Sequence, residues 1–293
     1  MKIYSVGWGW TPVPEDMPEG NSLEVIADKV KALGFDGVDY LSTYESLDTF
    51  FTDDTCRRIA AHCDEIGLPV GGFVFQSDLW NDPDKAVCDK QLAYFEKCAR
   101  AASLLGASSI SCIIPRPFGA KYTRGDRSPS EKLTSNLPAG YDWDADWSRF
   151  ASMLQSACDI AAAKKLDIAL ECFPRSLCST PHAMRQILKD VNRPNFGIQL
   201  DTAHLVNQNI DVETSIYMLA GGIRHVHLKD SDGMTRGNLP AGWGLVDYTR
   251  VFRVLEDIGY KGNASIEVEF TDKPERYMRE ALRHVKMCMD GMF

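Results

Sequence analysis

Four side chains that could bind a cation or carry a proton each close a short apolar run in the C-terminal half of the chain. They are Glu171, Asp201, His227 and Glu267. Short aliphatic runs of this kind are typical of parallel strands that are buried on both faces. If the four strands are neighbours, these side chains converge on one point. Three carboxylates and one imidazole would suit Mn²⁺, Mg²⁺ or Co²⁺, because oxygen-rich sites favour harder ions and one histidine widens the choice.

The elements that must position these residues alternate between strand and helix along the whole chain. We predict strands near 2–6, 36–41, 69–75, 108–114, 167–171, 196–201, 224–228 and 263–269. We predict helices near 23–33, 54–66, 84–105, 145–164, 180–190, 211–220, 247–258 and 273–290. Eight pairs in strict order predict an α/β fold of the closed (β/α)₈ TIM-barrel type, with residues 1–293 as one domain. An open doubly wound sheet is the alternative, but no Gly-x-Gly-x-x-Gly follows the first strand.

Barrel geometry changes how the four residues are interpreted. A single Glu or Asp at a strand end more often caps a loop or makes an ion pair than binds a metal. Four such residues at the C-terminal ends of four consecutive strands lie where barrel active sites form. The joint pattern therefore favours a functional site.

One connection is longer than the others. Residues 115–143, after the fourth strand, are rich in Pro, Gly and charge, and they follow a strand on the face where the predicted site lies. A lid over the site is one interpretation. A solvated insertion or a contact with another subunit, in a homo-oligomer or an accessory complex, is the other.

Further residues could contact a substrate. His204, three residues beyond Asp201, can face the opening of the site, although a structural imidazole is the alternative. Trp10 and Trp243 could stack on a sugar ring, and packing explains each equally well. Arg175 and Asp230 could hydrogen-bond a polyol or a carbonyl, and are otherwise ordinary loop charges.

Composition narrows the class of protein. The 293 residues are 44% hydrophobic and 25% charged with a net charge of −9, which argues against a nucleic-acid or anionic-membrane surface. No sustained apolar stretch opens the chain, so we expect neither a signal peptide nor a membrane span and place the protein in the cytoplasm. Nine cysteines without a Cys-x-x-Cys pair indicate reduced, mostly buried thiols.

Five motifs in chain order resemble the sugar phosphate isomerase/epimerase family of xylose isomerase-like barrels, and the resemblance covers essentially the whole chain. The motifs are Leu170-Glu171-Cys172-Phe173-Pro174, Leu200-Asp201-Thr202-Ala203-His204, His225-Val226-His227-Leu228-Lys229-Asp230, Gly242-Trp243-Gly244-Leu245-Val246-Asp247, and Gly259-Tyr260-Lys261-Gly262 leading to Ser265-Ile266-Glu267. The resemblance implies that Glu171, Asp201, His227 and Glu267 bind one divalent cation. It also implies that the two glutamates act as acid and base, with Glu269 in reserve for the position of Glu267.

The predicted chemistry is metal-assisted removal of a proton next to a carbonyl. A cation that chelates two adjacent oxygens of a hydroxy ketone stabilises the enediolate, and a carboxylate on the other face can return the proton. Ketose epimerisation or isomerisation follows, with His204 polarising a substrate oxygen. Elimination from a keto-sugar by a dehydratase or glycoside-cleaving lyase is the alternative, and a non-catalytic carbohydrate-binding subunit is a third. Since no Gly-rich phosphate cradle is present, we expect an unphosphorylated sugar.

Overall fold

Eight parallel strands close into a barrel in the computed structural model, which describes residues 1–7, 23–42, 44–75, 80–112, 116–122, 135–234, 239–268 and 273–291. The barrel strands are β1 (Ile3–Val6), β2 (Gly37–Ser42), β3 (Val70–Phe75), β4 (Ser109–Cys112), β7 (Asp167–Glu171), β8 (Phe196–Asp201), β9 (Ile223–Leu228) and β10 (Ala264–Ile266). Around the barrel their order is β1-β10-β9-β8-β7-β4-β3-β2. The predicted (β/α)₈ barrel is confirmed, and the four strands that precede the candidate ligands are neighbours.

Helices cover the outside of the barrel. They are α1 (Leu23–Leu33), α2 (Tyr44–Thr49), α3 (Asp53–Glu65), α4 (Lys85–Leu105), α5 (Trp143–Ala162), α6 (Pro181–Val191), α7 (Thr202–Val206), α8 (Val212–Met218), α9 (Tyr248–Asp257) and α10 (Pro274–Met289). Side chains such as Thr52, Asp84 and Asp247 cap helix N-termini by accepting backbone N–H bonds. The short helices α2 and α7 are absent from the sequence prediction, because five or six residues carry too little periodicity.

The long connection between β4 and α5 contains a small two-stranded antiparallel sheet, formed by β5 (Lys121–Tyr122) and β6 (Ser135–Asn136). The carboxylate of Asp146, which is fully buried in α5, binds residues near both ends of this connection. That carboxylate accepts the Phe118 N–H at 2.8 Å and the Tyr141 hydroxyl at 2.6 Å. Asn81 donates to its other oxygen at 2.8 Å. The connection is therefore tied to the barrel at its base, while its action as a lid stays a prediction.

Glycine makes room for a polar layer inside the barrel below the candidate site. A Cβ atom on Gly71 would lie 2.6 Å from Asp39 Oδ1 and would also collide with the Tyr4 ring. Asp39 uses this space to accept the Gly72 N–H at 2.6 Å, and its other oxygen lies 3.1 Å from His225 Nε2. Although burial opposes ionisation, the neighbouring His225 holds the pKa of Asp39 below its usual value. The polar groups of this layer are therefore hydrogen-bonded to one another.

Two predictions about composition can be compared with the structure. The eight cysteine side chains that the structure describes are free thiols, and seven of them are buried. Among the helices of the described residues, none combines the length and the apolar composition that crossing a membrane requires.

Candidate metal centre

The four candidate ligands meet at the C-terminal end of the barrel. Strand register pairs Asp201 with His227, and Glu171 lies level with Gln199, two residues before Asp201. One ligand atom from each of Glu171, Asp201, His227 and Glu267 lies within 4.8 Å of all the others. All four residues are buried, at 5% exposure or less. Tertiary structure therefore brings together the set that the sequence pattern selected.

The two carboxylate oxygens of Asp201 have different surroundings. Its Oδ1 atom caps helix α7 by accepting the backbone N–H of His204 at 2.8 Å. Its Oδ2 atom is buried and has no hydrogen-bond partner among the described residues. Lys229 Nζ lies 3.4 Å from Oδ2, an ion-pair distance that lacks hydrogen-bond geometry. A buried carboxylate oxygen without a hydrogen bond is costly, and a bound metal ion would offset that cost together with the Lys229 ammonium.

Glu171 is held by a residue that the sequence analysis missed. The fully buried amide of Gln199 donates to Glu171 Oε1 at 3.1 Å, and its own carbonyl oxygen accepts from Ser111 Oγ. Burial and the negative charge of Glu267 raise the pKa of Glu171 to about 7. A buried Gln two residues before Asp201 on the same inward face is the signal that could have found this contact.

His227 directs one ring nitrogen at the carboxylates. Its Nδ1 atom lies 3.0 Å from Glu267 Oε2, 3.7 Å from Glu171 Oε1 and 3.0 Å from Gln199 Nε2. Burial disfavours a charged imidazole, but the hydrogen bond to Glu267 and the surrounding carboxylates outweigh it and raise the pKa of His227 to about 9. Its Nε2 atom is buried and has no hydrogen-bond partner in the described part of the chain. The ring is thus oriented by two carboxylates that would also attract a cation and by the Gln199 amide.

A fifth charged residue, Lys229, lies among the ligands. It follows His227 by two positions and so shares its inward face. Its Nζ atom lies 3.0 Å from Glu267 Oε2, and the side chain is 1% exposed. Thr202 Oγ1 fixes the backbone of Lys229 by donating to its carbonyl at 2.6 Å and accepting its N–H at 3.2 Å.

His204 lies beside the ligands and is almost completely buried. Its Nε2 atom is 3.8 Å from Glu171 Oε1 and 3.7 Å from Asp201 Oδ2, and the Phe173 ring packs edge-on against the imidazole at 4.9 Å. Burial lowers the pKa of His204 to about 4, so the imidazole is neutral at physiological pH. A neutral imidazole can donate one hydrogen bond to a substrate oxygen.

Asp230 and Trp243, two other residues predicted to contact a substrate, have local contacts in the structure. The buried carboxylate of Asp230 accepts the N–H groups of Ser231 at 2.9 Å, Gly242 at 2.9 Å and Val246 at 3.0 Å, so it shapes the loop that carries Trp243. Trp243 is 49% exposed and packs edge-on against Tyr277 at 5.2 Å. A substrate-binding role for Asp230 or Trp243 stays a prediction.

Three more residues were selected by the sequence analysis. Arg175 is exposed and has positive φ in the turn after β7, and its contact with a substrate also stays a prediction. Trp10 and the reserve residue Glu269 lie outside the described residues.

The donor set fits a divalent cation. Two ligands on opposite sides of an ion at about 2.0 to 2.4 Å are at most about 4.8 Å apart, and the four atoms here all lie within 4.8 Å of one another. The open Oδ2 of Asp201 supplies an oxygen that lacks a hydrogen bond. The cluster is therefore able to hold one ion.

Known proteins resemble this chain along most of its length. A family model described as a xylose isomerase-like TIM barrel matches residues 27–288. An L-ribulose 3-epimerase of Mesorhizobium japonicum is 26% identical over 249 residues, which is 84% of this chain and 75% of that protein. The L-ribulose-5-phosphate 3-epimerase UlaE of Salmonella paratyphi A is 29% identical over 159 residues, 52% of this chain and 56% of that protein.

Among solved structures, one of L-ribulose 3-epimerase superposes with a TM-score of 0.79 at 20% identity, covering 99% of this chain and 95% of that one. This likeness concerns the fold, whereas the family model also matches the sequence from α1 to α10. The chain belongs to the family of xylose isomerase-like TIM barrels.

Proposed function

We propose that this protein is a divalent-metal-dependent epimerase or isomerase of a ketose or keto-sugar. One observation carries the proposal: a cluster of three carboxylates and one imidazole contains two glutamates that reach it from strands three positions apart in the barrel. Relatives and structural neighbours of the chain include sugar epimerases, which supports the same reaction class.

The residues that would hold the cation are Glu171, Asp201, His227 and Glu267. A divalent cation at this position, Mn²⁺, Mg²⁺ or Co²⁺, supplies positive charge that acidifies a hydrogen next to a substrate carbonyl. The burial of all four ligands excludes water, which strengthens every charge interaction with the substrate.

The two glutamates differ in their surroundings, and this suits opposed roles. Glu171 accepts a hydrogen bond from the Gln199 amide at 3.1 Å, lies 3.8 Å from His204 Nε2, and serves as the acid–base group on one side of the reacting carbon. Glu267 is restrained by His227 and Lys229, each 3.0 Å from its Oε2 atom. It serves as the acid–base group on the opposite side of the reacting carbon. A proton taken by one carboxylate and returned by the other inverts the carbon between them.

His204 completes the acid–base set. Because its imidazole is neutral, it can donate a hydrogen bond to a substrate oxygen without bringing a second positive charge into the pocket. Phe173 packs against the ring and limits its rotation.

The test follows the fate of the proton. Purified protein is loaded with Mn²⁺ in D₂O and given free ketoses, ketose phosphates and 3-keto-glucosides, and the products are identified by NMR. A sugar isomer that carries deuterium at the reacting carbon supports the proposal. Loss of water or of an aglycone, with no isomer from any ketose, would instead identify a lyase.

Variants then test whether each glutamate takes part in catalysis. Glu171→Gln and Glu267→Gln should each lower kcat by about 10² to 10⁴, because general acid–base catalysis typically contributes that much. Glu280→Gln, which changes an exposed glutamate paired with Arg276, is the control and should leave kcat unchanged. Near-normal turnover in either metal-loaded site variant would remove that glutamate from the mechanism.

A further inference from the structure

Lys229 is a lysine buried among carboxylates. Its side chain is 1% exposed, and Nζ lies 3.0 Å from Glu267 Oε2 and 3.4 Å from Asp201 Oδ2. A buried ammonium is costly unless oppositely charged groups pair with it. Here the groups that pair with it are two of the residues that would also ligate the metal ion.

Strand register and backbone hydrogen bonds fix the position of Lys229. Ile266 pairs with Leu228 in the register of β10 and β9, so the next residues, Glu267 and Lys229, lie level with each other. Thr202 holds the Lys229 backbone with two hydrogen bonds, as described above. The position of the ammonium is therefore set by the same strand ends that set the ligands.

Charge balance indicates what the ammonium does. With a metal ion bound, the three deprotonated carboxylates of the cluster carry three negative charges among buried residues. A divalent cation cancels two of these charges and the ammonium cancels the third. When no metal is bound, the ammonium and His227 Nδ1 each lie 3.0 Å from Glu267 Oε2. Among the described ion pairs of Asp201, the Lys229 ammonium at 3.4 Å is the closest cationic group.

We propose that Lys229 is a built-in counter-ion of the metal centre, acting through Asp201 and Glu267. Its ammonium stabilises the carboxylate cluster while no metal is bound. It also repels the incoming divalent cation, so the ion is held less tightly and exchanges more readily than in a centre without the lysine. The inference rests on the metal site of the proposed function and adds a positioning residue to it.

The test compares Lys229→Met with wild type, using Mn²⁺ alone as the probe. Calorimetry should show Mn²⁺ binding at least about tenfold tighter in Lys229→Met, because a unit charge a few ångströms away in a poorly hydrated pocket is worth that much or more. After chelation of all metal, the variant should melt at a lower temperature than wild type. Lys97→Met, which removes an exposed lysine paired with Asp48, is the control and should change neither property.

A second measurement keeps the idea testable if Lys229→Met folds poorly. In the metal-free state, the double variant Lys229→Met/Glu267→Gln should melt at a higher temperature than Lys229→Met alone, because one negative charge leaves together with the positive one. A lysine that serves only as packing would give additive losses. Lys229→Arg, which keeps the charge, should bind Mn²⁺ within about threefold of wild type when the ammonium acts by charge.

The outcomes separate this inference from the proposed function. Unchanged or weaker Mn²⁺ binding in Lys229→Met, or additive losses in the double variant, would overturn the counter-ion role while the wild-type site still binds metal. Failure of the wild-type protein to bind Mn²⁺ would overturn the proposed function itself. The metal-free double-variant comparison would still decide whether Lys229 balances the carboxylates.

Discussion

Gln199 offers a sharp test of how the ligands are oriented. Its buried amide donates to Glu171 Oε1 at 3.1 Å, lies 3.0 Å from His227 Nδ1 and accepts from Ser111 Oγ. Gln199→Leu keeps much of the volume of the side chain and removes all three polar contacts. Ser111 then loses an acceptor and Glu171 loses a donor, both in a buried position.

These contacts determine how much Gln199→Leu should lower stability and weaken metal binding. Each of the two buried groups that loses its partner costs about 1 to 3 kcal/mol, so the free energy of unfolding of the metal-free protein should fall by about 2 to 6 kcal/mol. Loss of the hydrogen bonds that orient metal ligands typically weakens metal binding 10- to 100-fold, and we expect Kd for Mn²⁺ to rise by about that factor. Urea unfolding measures the first effect and calorimetry the second.

A matched glutamine controls for general destabilisation. Gln155 donates to the carbonyls of Asp190 at 3.0 Å and Val191 at 3.4 Å, in a part of α5 outside the ligand cluster. Gln155→Leu should lower stability by about 1 to 3 kcal/mol and leave Mn²⁺ affinity as in wild type. If Gln199→Leu also left Mn²⁺ affinity within twofold of wild type, the idea that Gln199 orients Glu171 and His227 would be refuted.

Two further predictions concern protons and the long connection. Because the pKa values of His227 and Glu171 are raised to about 9 and about 7 and ligands must be deprotonated, Mn²⁺ should displace about one proton at pH 8 and nearly two at about pH 6. Affinity should then fall as pH falls. Calorimetry in buffers of different ionisation enthalpy counts the protons, and a pH-independent affinity from pH 6 to 8 would contradict the ligand assignment. Asp146→Asn should lower the free energy of unfolding by about 2 to 4 kcal/mol and speed proteolysis between residues 116 and 142, because Asp146 binds Phe118 and Tyr141 at the two ends of the connection. Unchanged cleavage there would show that the connection does not depend on this carboxylate.

Much of the fold could be predicted from the sequence because it depends on local patterns. Apolar runs such as 196–201 and amphipathic stretches such as 84–105 specify strands and helices by their periodicity alone. The strict alternation of eight pairs then leaves few topologies other than a closed barrel. The same pattern selected Glu171, Asp201, His227 and Glu267 as residues at strand ends.

The tertiary structure alone decided which groups surround those residues. Strand alternation can place Gln199 on the inward face, but it cannot name the partners of Gln199 or Asp39, because these residues contact strands 28 and 186 residues away in sequence, at Glu171 and His225. Lys229 could be an ordinary loop charge in the sequence, and only closure of the barrel buries its ammonium beside Glu267. Strand periodicity states which face a side chain occupies, but burial, pKa and charge balance arise from residues that meet when the eight strands close.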